Sequence, residues 1–235
     1  MKLDENRKFS AFLFDMDGTL LTSIAAAERV WGAWAQRQGL DPIAFLPTMH
    51  GQRAIDTIRR LELPGLDPEI EAANITKAEI EDVEGVVAIA GAAEFLASLP
   101  DDRWAIVTSA SRQLAQRRLE AAGLTIPRVM VTGEDVAVGK PDPQCFLLGA
   151  KRLGVSPSNC LVFEDVEAGV KAGRAAGADV LVVTAAGHGI DWRDFPTIKH
   201  YISIRPVVSA DGSLSIQDDV PGSGVAGRRP SVFFR

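Results

Sequence analysis

The 235-residue sequence predicts an α/β protein: a doubly wound parallel sheet interrupted by an α-helical insertion. Three observations carry this. Five short apolar runs have the near-continuous hydrophobicity of strands buried on both faces. Amphipathic helix patterns lie between most of them. One long acidic stretch breaks the alternation and contains no convincing strand.

The strands are expected at residues 11–14, 104–107, 128–131, 160–163 and 179–183. Between them, Ser111 can cap a helix carrying Leu114, Ala115 and Leu119 that closes at Gly123. Pro143 suits the first turn of a helix with Phe146, Leu147 and Leu153, closed by Gly154. A small-residue helix over 166–176 closes at Gly177. The insertion, residues 21–87, has helix-like runs at 25–38, 52–61 and 67–83. The expected organisation is therefore an α/β core of residues 1–20 and 88–217, a helical insert over 21–87, and a Gly/Pro/Ser-rich disordered tail over 218–235. Within the core, Ala210-Asp211-Gly212 reads as a hairpin turn between apolar pairs at 207–208 and 214–216.

Composition narrows the function classes. The net charge is −6, the wrong sign for a chain that works on nucleic acid or anionic lipid, and Arg228-Arg229 is too short for a basic patch. Eleven acids against six bases between residues 21 and 90 place nearly all of that charge in the insert. No apolar run approaches the ~20 residues of a membrane span, and residues 1–10 do not read as a secretory signal, so the expected compartment is the cytoplasm. Cys145 and Cys160 fall in or beside apolar runs, without metal-ligand spacing, and read as buried thiols in a reducing environment.

The chemistry is written in how three strands end. The first runs into Asp15-Met16-Asp17-Gly18-Thr19, the second into Thr108-Ser109, and the fourth into Glu164-Asp165. Ligands of open α/β sheets bind at the carboxyl ends of the strands, so these ends converge on one crevice. Carboxylates so crowded need a cation, and an all-oxygen donor set points to Mg²⁺. The hydroxyls and Lys140 suggest an anion that the metal bridges. Metal, anion and a carboxylate nucleophile together indicate phosphoryl transfer through an aspartyl-phosphate.

Asp15-Met16-Asp17-Gly18-Thr19-Leu20, then Thr108-Ser109, then Gly139-Lys140-Pro141-Asp142-Pro143, then Phe163-Glu164-Asp165 with Gly169 resemble, in order, the four motifs of the haloacid dehalogenase superfamily. The resemblance covers roughly residues 9–187, and the 21–87 segment is similar to the helical cap of one branch. Glu28-Arg29-Val30-Trp31 and His50-Gly51-Gln52-Arg53-Ala54-Ile55 look like the sugar- and polyol-phosphate phosphatases of that branch, such as the 2-deoxyglucose-6-phosphate and glycerol-phosphate enzymes.

The resemblance implies a small-molecule phosphate ester as substrate and a role for each motif residue. Asp15 is the expected nucleophile and a Mg²⁺ ligand. Asp17 is the expected proton donor and then acceptor, with its backbone carbonyl on the metal. Thr108 and the Ser109 amide hold phosphoryl oxygens, and Lys140 neutralises charge between phosphate and Asp15. Asp165 is the third metal ligand, with Glu164 a ligand or its support. His50 and Arg53, at the start of a cap helix, are expected to face the substrate. Trp31 and Trp34 read as cap core, and His188 and His200 receive no role.

Asp17 argues against the superfamily's dehalogenases and phosphonate hydrolases, which lack an acid there. The related phosphosugar mutases, exemplified by β-phosphoglucomutase, carry a His four residues after a Ser/Thr of the hinge; counting from Ser23 lands on Ala27. Receiver domains also set Asp, Thr/Ser and Lys around Mg²⁺, but their order ends in Lys and they have no cap. The expected protein is a monomer or weak dimer.

Overall fold

The structure, a computed structural model, describes residues 7–187 and 189–218. Residues 1–6, His188 and the stretch beyond 218, including Arg228-Arg229 and all but the first residue of the expected tail, lie outside them. In chain order the elements are β1 (Ala11–Phe14), β2 (Leu21–Thr22), α1 (Ile24–Arg37), α2 (Pro42–Phe45), α3 (Ala54–Arg60), α4 (Pro68–Glu81), β3 (Val87–Ala88), α5 (Ala92–Ala97), β4 (Trp104–Val107) and α6 (Arg112–Ala121). They continue with β5 (Met130–Val131), α7 (Gln144–Leu153), β6 (Cys160–Glu164), α8 (Glu167–Ala175), β7 (Asp179–Val183), β8 (Thr197–Ile198), β9 (Ile204–Val208) and β10 (Leu214–Asp218).

Six parallel strands form one sheet in the order β5-β4-β1-β6-β7-β8. Alternate residues of each strand enter different cores, as the two-residue pleat requires. Phe12, Phe14, Ile106, Leu161, Phe163 and Leu181 face α5, α6 and the β9–β10 hairpin. Ala11, Leu13, Ala105, Val107, Val162 and Val180 face α7 and α8. A sheet covered on both faces explains why the strands read as unbroken apolar runs.

Local chemistry sets the helix ends. The Ser111 hydroxyl accepts the Leu114 N–H at 3.3 Å and starts α6, while Asp67 accepts the Glu69 and Ile70 N–H groups and starts α4. Gly154, in the left-handed conformation, closes α7. Both cysteines are free and buried, and burial pushes the Cys160 thiol up to about 12.

The structure adds elements that the sequence reading did not contain, among them α2 and α5, and shifts others. The third strand is only Met130–Val131, an edge strand paired with β4 alone. A sixth strand, Thr197–Ile198, pairs with β7. The insert is bounded by a two-stranded antiparallel ribbon in which Leu21 faces Ala88 and Thr22 faces Val87. The stretch assigned to the tail begins one residue too early, because Asp218 still pairs with Ile204.

Between the ribbon strands the chain is helical and has its own apolar cluster, with Trp31, Trp34, Phe45, Met49, Ile58 and Ile75. Trp31 and Trp34 meet edge to face, their centroids 5.6 Å apart, and the Trp34 indole donates to Glu71 at 2.7 Å. Among the described residues, no helix is long and apolar enough to cross a membrane.

Candidate active site

The carboxyl ends of β1, β4 and β6 meet beneath the helical insert. Asp15 follows β1 directly, and its N–H donates to Phe163 of the neighbouring strand at 2.9 Å. The chain then turns sharply: the Met16 carbonyl accepts the Leu20 N–H at 2.8 Å, and Gly18 adopts φ +87°. Glycine is required there twice over. Its φ is left-handed, and a Cβ would stand 1.9 Å from the Asp165 carboxylate. The turn thus lays Asp165 against the Asp15–Thr19 loop, where the Thr19 hydroxyl donates to Asp165 at 3.3 Å.

Lys140 is buried behind Asp15. Its ammonium donates to Asp15 Oδ1 at 2.6 Å, to Glu164 Oε1 at 2.7 Å and to the Val107 carbonyl at 3.1 Å. An ammonium has three N–H donors, so all are committed. Burial opposes the Lys140 charge, but Asp15 and Glu164 outweigh it and hold the group charged, well above the ordinary lysine range. Burial, with Glu164 and Asp165 adding repulsion, raises the Asp15 carboxyl well above its usual range despite Lys140.

Glu164 is fully buried. Its Oε1 accepts from Lys140, and its Oε2 accepts the Asp165 and Val166 N–H groups at 2.9 and 3.3 Å. It sits over Gly169, where a Cβ would lie 1.7 Å from the carboxylate. Among the described residues, Asp15, Glu164 and Asp165 form a group able to hold a cation, one oxygen from each lying within 4.8 Å of the others. Three carboxylates against one ammonium leave two uncompensated negative charges, which a divalent, oxygen-preferring ion fits.

A pocket of about 110 Å³ opens in front of this cluster. Asp15, Asp17, Thr108, Ser109 and Asp165 line it from the core, and Ala27, Trp31, Met49, His50, Thr76 and Glu79 from the insert. Asp17 Oδ1 accepts from the Ser23 hydroxyl at 2.6 Å and pairs with Arg118 at 3.0 Å. Ser109 ties the two parts together, its hydroxyl donating to the Gly51 carbonyl at 2.8 Å. His50 lines the pocket, and its Nε2 lies 3.5 Å from Glu28.

Arg53 departs from expectation. It precedes α3 as its N-cap residue but stands outside the pocket that His50 lines. Its guanidinium grips Asp56 through two bonds of 2.6 and 2.8 Å and donates to the Gly133, Val136 and Ala137 carbonyls. All five N–H donors are engaged, so none is left for substrate hydroxyls. Arg53 fastens the insert to the core instead.

Two pocket residues escaped the sequence reading. Arg118 is 5% exposed and shares the buried face of α6 with Leu114, Ala115 and Leu119. Glu79 shares the buried face of α4 with Ile75. For Arg118, a charge on the apolar face of α6 was the available signal; α4 has too little apolar periodicity to single out Glu79. They meet at 2.9 Å. Burial raises the Glu79 carboxyl against the pull of Arg118, while Asp17 and Glu79 together outweigh burial in keeping Arg118 charged.

A family model for haloacid dehalogenase-like hydrolases matches residues 9–177. Hexitol phosphatase A of Escherichia coli K12 is 44% identical over 211 residues, spanning 88% of this chain and 98% of that protein. Glycerol-1-phosphate phosphohydrolase 2 of Saccharomyces cerevisiae is 34% identical over 190 residues, 74% of each chain. The crystal structure of a hydrolase from Pseudomonas syringae aligns with a TM-score of 0.67 at 27% identity, covering 78% of this chain and 87% of that one.

Proposed function

The chain belongs to the haloacid dehalogenase-like hydrolases, and from that premise we propose that it hydrolyses phosphate monoesters of small sugars or polyols through a phosphoryl-Asp15 intermediate, with Mg²⁺ as cofactor. The carrying observation is the Asp15–Lys140 contact at 2.6 Å, buried behind a pocket that Asp15 and Asp17 line. The names of the hexitol and glycerol-phosphate relatives support the polyol class.

In this reading the Asp15 oxygen not bonded to Lys140 attacks phosphorus as the bond from phosphorus to the leaving oxygen breaks. Asp17 gives its proton to that oxygen and the alcohol departs. Asp17 then takes a proton from water, whose oxygen attacks phosphorus and returns Asp15 as a carboxylate. Ser23 and Arg118 fix one Asp17 oxygen, leaving the other for the proton. Thr108 and the Ser109 amide hold phosphoryl oxygens at the end of β4. The Asp15 and Asp165 carboxylates and the Asp17 carbonyl would hold Mg²⁺, with Glu164 bracing Lys140 and Asp165 from behind. The bound ion supplies charge neutralisation for the phosphoryl group.

The helical insert acts as a cap over the core. Ala27 lines the pocket without an imidazole, which favours release to water over the mutase alternative. A panel of phosphate esters, assayed for inorganic phosphate with Mg²⁺, tests the reading. Hexitol, hexose and glycerol monophosphates are the expected substrates. Release from none, or conversion of a hexose 1-phosphate to its isomer without phosphate release, would overturn it.

A further inference from the structure

We infer that Arg118 and Glu79 form the subsite that selects the alcohol half of the substrate, taking two neighbouring hydroxyls next to the ester carbon. The inference deepens the phosphatase reading and rests on it.

The pair spans the pocket wall, Arg118 from α6 of the core and Glu79 from α4 of the insert, with side chains 6% and 8% exposed. Arg118 also lies 3.0 Å from Asp17. The pair therefore begins where the carboxylate that serves the leaving oxygen ends. A guanidinium only donates hydrogen bonds and an ionised carboxylate only accepts them, whereas a hydroxyl does both. Adjacent hydroxyls satisfy the pair together, one accepting from Arg118 and the other donating to Glu79. An alkyl or aryl group filling the same space covers the exposed edge of the pair and offers it no hydrogen bond. Ala27 and Leu114 leave apolar wall for the carbon skeleton, and the Trp31 indole donates to Glu79.

A simple strut between insert and core would be indifferent to the alcohol, and Arg53 and the Ser109–Gly51 bond already serve that purpose. The test compares kcat/KM for glycerol 1-phosphate, propyl phosphate and p-nitrophenyl phosphate in wild type, Glu79→Gln and the double variant Glu79→Gln/Arg118→Gln. Wild type is expected to prefer glycerol 1-phosphate over propyl phosphate, and both variants to reduce that preference about tenfold or more, the scale of one lost charge-assisted hydrogen bond. No wild-type preference, or equal losses on all three esters, overturns the subsite. The wild-type preference for glycerol 1-phosphate over propyl phosphate needs no variant, so it tests the subsite even if both variants misfold. Should wild type hydrolyse no ester at all, p-nitrophenyl phosphate included, the phosphatase reading falls first and takes the subsite with it.

Discussion

Lys140 Nζ lies 2.6 Å from Asp15 Oδ1, with both side chains buried, and every other ammonium proton is spent on Glu164 or the Val107 carbonyl. The lysine is a fixed part of the core that orients the Asp15 carboxylate rather than a mobile arm. Lys140→Met leaves crowded carboxylates with no cation. Urea unfolding in EDTA should show a loss of about 3–5 kcal/mol, the usual cost of removing one partner of a buried pair. A loss below 1 kcal/mol would mean that the cluster does not depend on Lys140.

Arg53 carries a prediction on which the sequence reading and the geometry diverge. From its place beside His50, it is expected to recognise substrate hydroxyls, so that Arg53→Ala would spare p-nitrophenyl phosphate. The structure commits all its donors to Asp56 and core carbonyls. Arg53→Ala should therefore lower kcat/KM by a similar factor on polyol phosphates and p-nitrophenyl phosphate, at about 1–3 kcal/mol. A loss confined to polyol phosphates would restore the first expectation.

Asp135 shows what pH does away from the site. Arg152 at 2.6 Å and the Thr132 N–H and hydroxyl hold its carboxyl well below the ordinary value of 3.8. The folded state thus releases this proton more readily than the unfolded one. Its stabilisation is complete above pH 3.8 and fades as pH falls through that value toward the lower folded pKa. Asp135→Asn should cost about 1–3 kcal/mol at neutral pH, and less in acid. A difference that holds constant across that range would contradict the assignment.

Metal dependence follows from the charge left over at Asp15, Glu164 and Asp165. EDTA should abolish activity and Mg²⁺ restore it. Asp165→Asn should raise the Mg²⁺ concentration needed for half activity, leaving the Tm in EDTA unchanged or higher, since it removes repulsion in the apo state. Full activity after exhaustive chelation would contradict the metal reading.

Much of this was legible in the sequence because buried parallel strands are short, apolar and unbroken, and their last residues point into the crevice. Residues 11–14, 104–107 and 179–183 were read to the residue. Two-residue strands such as Thr197–Ile198 and the Leu21–Thr22 ribbon carry too few side chains to make a pattern. The destination of Arg53 was illegible for a different reason. It depends on how the insert docks on the loop at 133–137, a relationship between segments some eighty residues apart. Arg118 was legible in principle, as a charge on the core face of α6, but Glu79 was not, because α4 has no apolar stripe to mark its face.

The most direct test of the central claim is a rapid acid quench during turnover of a hexitol monophosphate with Mg²⁺, followed by peptide mass spectrometry. One phosphoryl group should appear on the peptide containing Asp15, and Asp15→Asn should lose both the label and turnover while remaining folded. A label on Thr108 or Ser109, or turnover that survives in Asp15→Asn, would contradict nucleophilic catalysis by Asp15.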